Sequence, residues 1–136
     1  MGRTVALDPG EKRIGVSISD TSGMMAFPRP SLDAGRDWLS DLVRMSEEEV
    51  FDRILVGRPL GLAGNETAST ASAREFLEVI VEHFPHCEVL WVDERLTTVS
   101  ASRQLSAAGK TQKSQRGLID SAAATVLLQS WLDANR

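Results

Sequence analysis

The stretch "TVALDPGEKRIGVSIS", Thr4 to Ser19, decides the fold, because it predicts two short apolar strands joined by a tight turn. Asp-Pro-Gly at residues 8–10 is a strong turn signal: Asp bonds its own backbone, Pro presets φ, and Gly tolerates positive φ. The first strand therefore ends on the carboxylate of Asp8. On these residues alone a simple turn is the better interpretation, and only other carboxylates converging on Asp8 would favour a metal site.

Length and composition predict one globular domain spanning residues 1–136, because 42% of the residues are hydrophobic and 25% are charged. No apolar run reaches the roughly 18 residues that a membrane helix needs. The opening "MGRTVALDPG" has no apolar segment typical of a signal peptide. Cys87 is the only cysteine, which excludes an intrachain disulfide and fits a reducing compartment. We therefore expect a cytoplasmic protein.

The net charge of -4 is distributed unevenly along the chain. Residues 1–94 carry 9 Lys and Arg against 17 Asp and Glu, whereas residues 95–136 carry 6 against 2. The basic C-terminal third could form a local phosphate-binding surface on an otherwise acidic protein. The uneven charge alone is only a weak indication of nucleic-acid binding.

The order of apolar segments predicts three antiparallel strands followed by helices that alternate with two further strands. Pro28 and Pro30 place the third strand at the sheet edge, since proline cannot donate to a ladder. Asp33 is the predicted cap of the first helix. The remaining expectations are a helix over about 36–50, a strand over 53–57, a helix over 68–84, a strand over 88–95, a helix ending at Gly109, and a final helix over about 116–132. The predicted fold class is α/β, with a mixed five-stranded sheet and helices on both faces.

Further carboxylates occur where they could join Asp8. The fifth strand ends on Asp93 and Glu94, whose side chains alternate between faces, so only one of them can lie beside Asp8. The final helix is apolar or small on every side except at Asp120, which continues an inward-facing stripe with Ala124 and Leu127. Burying an unpaired carboxylate there would cost several kcal/mol, which a metal ion could offset.

Asp8 and Glu94 end strands and Asp120 begins a helix packed on the sheet, so three oxygen donors from distant parts of the chain can share one cleft, which suits magnesium or manganese and does not suit zinc. Crowding like charges in one cleft should also raise the pKa of at least one carboxyl group. His83, His86 and Cys87 offer no second ligand pair, so a zinc site there is the weaker interpretation.

The segments "LDPGEKRIGVSIS", "VGRPLGLAG", "VDERLTTVSA" and "GLIDSAAATVLLQSWL" resemble the YqgF (RuvX) family of Holliday-junction-resolvase-like pre-16S rRNA nucleases. The resemblance covers nearly the whole chain and implies an RNase H-like fold. It also implies that Asp8, Glu94 and Asp120 are the catalytic and metal-binding residues, with Mg²⁺ or Mn²⁺ as cofactor. The implied substrate is a precursor of ribosomal RNA, branched DNA, or both. The loop Gly57 to Gly64 departs from the pattern at Arg58 and Gly61.

Several basic residues are candidates for binding substrate phosphate. The densest cluster stands just ahead of Asp120, where a loop beside an acidic site could grip the backbone, although solvated charge is the default interpretation. The candidates are Lys12, Arg13, Arg58, Arg95, Lys110, Lys113 and Arg116.

Two alternatives to a nuclease stay open. A catalytically silent nucleic-acid-binding module could keep this fold, but no acidic position of the pattern is lost. An actin-like phosphotransferase shares the Asp-ended hairpin, but such enzymes usually need two copies of the architecture. Junction cutting usually needs paired active sites, so a homodimer is also left open.

Overall fold

The computed structural model describes residues 2–94 and 120–135, so the predicted helix ending at Gly109 and the polar loop after it lie outside the described residues. The described elements follow the predicted order of strands and helices. They are β1 (Arg3–Pro9), β2 (Arg13–Ser19), β3 (Ala26–Asp33), α1 (Trp38–Glu48), β4 (Phe51–Arg58), α2 (Ala68–His83), β5 (Glu88–Asp93) and α3 (Ala122–Ala134).

The strands form one five-stranded sheet in the order β3-β2-β1-β4-β5. β1 pairs antiparallel with β2 and parallel with β4, so Leu7 lies between Val16 and Val56. β2 pairs antiparallel with β3, and β4 pairs parallel with β5. The predicted mixed sheet is confirmed, with β3 and its two prolines at one edge. β1 lies at its centre, and the carboxyl ends of β1, β4 and β5 meet at one end of the sheet.

Alternation along the strands creates two apolar cores. On one face, Val5, Leu7, Ile54 and Val56 pack with Leu42 of α1 and with Phe76 and Ile80 of α2. On the other face, Ala6 and Leu55 pack with Leu127, Leu128 and Leu132 of α3. No helix in the described part of the chain is long and apolar enough to cross a membrane. The two cores make β1 buried on both sides, and a polar residue at its end is therefore unusual.

The predicted cap of α1 is wrong. The Asp33 carboxylate accepts a hydrogen bond from the Gly35 backbone N–H at 2.9 Å, which stabilises a turn that precedes the helix. Asp37 caps α1 instead, accepting from the Ser40 backbone N–H at 3.2 Å. Both residues are good caps, and the sequence does not show that the turn comes first.

Candidate active site

Asp8 lies near the carboxyl end of β1, on the face that α3 covers. It pairs with Gly15 of β2, and it follows Leu7, which pairs with Val56 of β4. Burial raises the pKa of the Asp8 carboxyl group from 3.8 to about 6. Within residues 2–94 and 120–135, no hydrogen bond or ion pair stabilises its charged form. The expectation that one carboxyl holds its proton to higher pH is confirmed, but the cause is burial and not repulsion.

Glu94 reaches the same face from the end of β5. Its side chain lies across Gly57 of β4, where an added Cβ would fall 2.7 Å from Glu94 Oε1 and 2.8 Å from Cγ and Cδ. Gly57 and Leu55 share a face, and Leu55 belongs to the core beneath α3. Of the two carboxylates that end β5, Glu94 is therefore the one on the face of Asp8.

Asp120 approaches the sheet from the start of α3. A Cβ on Gly15 would fall 2.7 Å from the Asp120 backbone oxygen and 3.4 Å from the Asp8 Cβ. The expected buried, unpaired carboxylate is wrong, because one third of the Asp120 side chain is exposed and its Oδ2 lies 3.0 Å from Arg13 Nε. Ser31 Oγ, on β3, also donates to this oxygen at 3.5 Å. Asp120 therefore faces the sheet but pairs with β2.

The three predicted carboxylates, Asp8, Glu94 and Asp120, thus lie around β1 on the face of the sheet that α3 covers, with a glycine on each neighbouring strand. In the described ranges, no three His, Cys, Asp or Glu side chains are positioned to hold one metal ion. The Asp120 carboxylate is held by Arg13, at the start of β2.

Sequence reasoning missed the two glycines that make this arrangement fit. Gly15 and Gly57 are both buried within strands, where glycine is usually unfavourable. The signal was available, because a glycine inside a strand often marks a close approach of another chain segment. Here the approaching groups are the Asp120 backbone and the Glu94 side chain.

Ser121 is a further residue that the sequence analysis did not single out. Its side chain is fully buried; the hydroxyl oxygen accepts from the Val16 backbone N–H at 2.9 Å and donates to the Arg29 carbonyl at 2.7 Å. The β2–β3 register shifts between Ile14 and Val16, so the hydroxyl bridges the two strands beside the irregularity. Ser121 thereby fixes the start of α3, and with it Asp120, against the sheet.

Ser121→Ala is expected to destabilise the protein by about 2 kcal/mol, since it leaves a buried backbone N–H without an acceptor. Thermal unfolding of this variant measures the loss. Ser130→Ala is the matched control, because Ser130 is an exposed serine of the same helix. Equal melting temperatures of the two variants would contradict the bridging role.

The basic candidates fall into two groups. Lys12 is exposed in the β1–β2 turn, Arg13 pairs with Asp120, and Arg58 ends β4 and pairs with Glu66 at 3.0 Å. All three lie towards the end of the sheet that carries the carboxylates. The others lie outside the described residues: Arg95, Lys110, Lys113 and Arg116.

Comparison with known proteins gives a family. A family model described as RuvX, Holliday junction resolvase, matches residues 2–134. The chain is 39% identical over 137 residues to a protein of Corynebacterium jeikeium (strain K411) named as a candidate pre-16S rRNA nuclease, covering 99% of this chain and 88% of that one. It is 45% identical over 139 residues to a protein of the same name from Leifsonia xyli subsp. xyli (strain CTCB07), with 99% and 88% covered.

A solved structure shows the same fold. The Fowlpox virus resolvase, in a crystal structure with its substrate Holliday junction DNA, matches with a TM-score of 0.65 over 98% of both chains, at 12% identity. At that identity the match shows a common fold and no more.

The family assignment rests on sequence. The resemblance seen in the sequence is confirmed by the family model and by the two curated relatives. This chain belongs to the RuvX family of nucleases.

Proposed function

We propose that the protein is a metal-dependent nuclease that hydrolyses phosphodiester bonds in structured nucleic acid, with Asp8, Glu94 and Asp120 as its catalytic carboxylates. The observation that carries this proposal is the half-buried position of Asp8, whose pKa is raised to about 6 by desolvation without a partner among the described residues. Desolvated carboxyl groups with perturbed pKa values concentrate at functional sites. A simple turn residue would be solvated or hydrogen-bonded.

The donor set fits a hard divalent cation. Asp8, Glu94 and Asp120 offer only carboxylate oxygens, the ligands that Mg²⁺ and Mn²⁺ prefer. Gly57 leaves the Glu94 side chain room beside β4, and Gly15 lets α3 approach β2. A bound cation supplies positive charge that stabilises the phosphoryl oxygens during hydrolysis. These three residues would hold the cation.

Arg13 has a defined part in this proposal. In the free protein its guanidinium neutralises Asp120 at 3.0 Å. When Asp120 turns towards Asp8, the guanidinium becomes available at the edge of the site, where it can bind a phosphate oxygen. Arg13 then balances charge before substrate binds and positions the substrate afterwards.

The substrate class that we propose is a ribosomal RNA precursor or a branched DNA. The names of the relatives support the first, and the name of the family model supports the second. Both substrates carry backbone phosphates in a folded arrangement, which the exposed basic residues near the carboxylates can contact. The two are distinguished by offering each to the same enzyme.

Glu94→Gln and Asp120→Asn are each expected to reduce cleavage by about 100-fold or more, because each removes a ligand charge worth several kcal/mol in the transition state. The measurement is cleavage of a four-way DNA junction and of a 16S rRNA precursor fragment, with Mg²⁺ or Mn²⁺ added. Asp93→Asn is the matched control, since Asp93 adjoins Glu94 and its strand position faces away from Asp8.

The control should retain cleavage while both site variants lose it. Normal cleavage by Glu94→Gln or by Asp120→Asn would remove that residue from the site. An equal loss of cleavage in Asp93→Asn would mean that negative charge at the end of β5 is needed, whichever face of the sheet carries it.

A further inference from the structure

A second cluster of charged and aromatic side chains lies at the same end of the sheet, on the opposite face. Arg58 of β4 and Arg74 of α2 both stack on Trp91 of β5, with guanidinium carbons 4.8 and 5.2 Å from the ring centroid. Both arginines also bind the same oxygen of Glu66, at 3.0 and 2.7 Å. We call these side chains, Arg58, Arg74 and Trp91, the arginine–tryptophan cluster.

The two arginines of the cluster share one carboxylate oxygen. Both guanidinium groups donate to Glu66 Oε2. All three side chains are partly exposed, at 36% for Arg58, 42% for Arg74 and 46% for Glu66. The Arg58 Nε is buried and has no hydrogen-bond partner within the described residues. The two guanidinium groups therefore converge on one anionic group, and a phosphate oxygen could take the place of the carboxylate oxygen that they share.

A similar group at the other end of the sheet has a single arginine. Arg53 stacks on Trp131 at 5.0 Å and pairs with Glu88 at 2.6 Å, so one guanidinium meets one carboxylate. Stacking of arginine on tryptophan thus occurs at both ends of the sheet. Only the group around Trp91 combines stacking with two arginines on a single acid among the described residues.

The position of the cluster links it to the carboxylates. Arg58 directly follows Gly57, over which Glu94 lies, and it pairs in register with Asp93, which precedes Glu94. Because side chains alternate along β4, Arg58 emerges on the face opposite to Gly57. A nucleic-acid strand that crosses this end of the sheet would meet the carboxylates on one face and the cluster on the other.

We propose that the arginine–tryptophan cluster binds a backbone phosphate of the nucleic-acid substrate, which replaces the Glu66 carboxylate. This inference rests on the proposed nuclease function and adds Arg74, Trp91 and Glu66 to it. Arginine binds phosphate through two parallel N–H donors, and the indole ring holds both guanidinium planes in place before binding. Glu66 occupies the phosphate position in the free protein and competes with it.

The test is equilibrium binding measured by fluorescence anisotropy in EDTA, with a labelled four-way DNA junction and, separately, a labelled RNA hairpin. The double variant Arg58→Gln/Arg74→Gln should bind about 10-fold more weakly, since charged hydrogen bonds are lost. Its slope of log K against log salt on the junction should be less steep by about 0.9 for the lost phosphate contact. Glu66→Gln should bind several-fold more tightly, because the competing carboxylate is gone.

Two further variants make the result specific. Arg53→Gln, at the other end of the sheet, should bind like the wild type. Arg58→Lys/Arg74→Lys should keep the salt slope but bind more weakly, since lysine keeps the charge and loses the two-donor geometry. If the double Gln variant melts early, the Lys variant and Glu66→Gln still decide the question.

Unchanged affinity and slope in the double Gln variant, or weaker binding by Glu66→Gln, would overturn the inference and leave the proposed nuclease intact. Failure of the wild-type protein to bind either probe in EDTA and to cleave either one with Mg²⁺ or Mn²⁺ added would overturn the proposed function as well. An equal loss of affinity in Arg53→Gln would overturn the inference, because it would show that the affinity depends on general surface charge and not on the cluster.

Discussion

Asp8→Asn is expected to abolish cleavage and, at the same time, to stabilise the protein in the absence of metal. The folded state holds the Asp8 proton to about pH 6, whereas the unfolded chain releases it near 3.8. Protonated Asp8 is therefore favoured by folding, and this contribution is fully present below the lower value. It is lost as pH rises through the higher one, at a cost of about 3 kcal/mol. Asn is neutral at every pH and avoids that cost.

The variant should therefore melt roughly 10 °C above the wild type at about pH 7.5 in EDTA, and the gap should nearly close at about pH 4. Comparing the two proteins at each pH cancels the contribution that the other carboxyl groups make to the pH dependence of stability, because both proteins share those groups. Asp41→Asn is a suitable control, because Asp41 is an exposed carboxylate of α1 whose ion pair to Arg44 spans 3.4 Å. It should shift the melting temperature little at either pH.

Cleavage gives the other half of this result, and it should fall by about 100-fold or more. A variant that is more stable and inactive is the pattern of a residue kept for function at the expense of stability. A pH-independent gap in melting temperature, or a variant less stable than wild type at neutral pH, would contradict the burial of an ionised Asp8.

Alanine at the two glycines beside Asp8 is expected to have opposite consequences. At Gly57 the three atoms nearest an added Cβ all belong to the Glu94 side chain, at 2.7 to 2.8 Å, and a side chain can yield more easily than backbone. The fold should survive and gain about 0.5 to 1 kcal/mol, since glycine is unfavourable in a strand. Cleavage should fall about 100-fold, because the displaced Glu94 no longer reaches the site.

At Gly15 the added Cβ meets the Asp120 backbone oxygen at 2.7 Å, which cannot move unless the start of α3 moves. Gly15→Ala should therefore destabilise the protein by about 1 to 3 kcal/mol. Melting temperature and cleavage rate, measured on both variants, separate the two cases. Wild-type cleavage by Gly57→Ala would show that Glu94 need not lie over β4, and an unchanged melting temperature for Gly15→Ala would show that α3 tolerates displacement.

Much of the fold follows from local pattern. Alternation in β5 places Asp93 and Glu94 on opposite faces, and the prolines of β3 place that strand at the edge. The inward stripe of α1 is also confirmed, because Leu42 is buried and Trp38 packs beside it. These features depend on neighbours within a few residues, which a single sequence displays directly.

The features that could not be predicted depend on contacts between distant segments. Nothing near Asp120 in the sequence indicates that Arg13 would be its partner, since the two residues meet only because α3 packs on β2. The role of Ser121 likewise depends on a register shift between β2 and β3, which apolar periodicity does not encode. Burial of Asp8 follows from the central position of β1. The sequence predicted a raised pKa for at least one of the three carboxyl groups, from repulsion between them, and did not indicate that it would be Asp8 or that burial would be the cause.

The hydrogen bond from Val16 to Ser121 joins residues 105 positions apart, so the proposed site cannot exist before α3 has docked. During synthesis all five strands leave the ribosome before Asp120 does. At about 5 to 20 residues per second, roughly 2 to 8 s separate Glu94 from the end of α3. For that interval the nascent chain holds a nearly complete sheet without the docked helix that brings Asp120 to it. The proposed site therefore stays incomplete until almost the whole chain has been made.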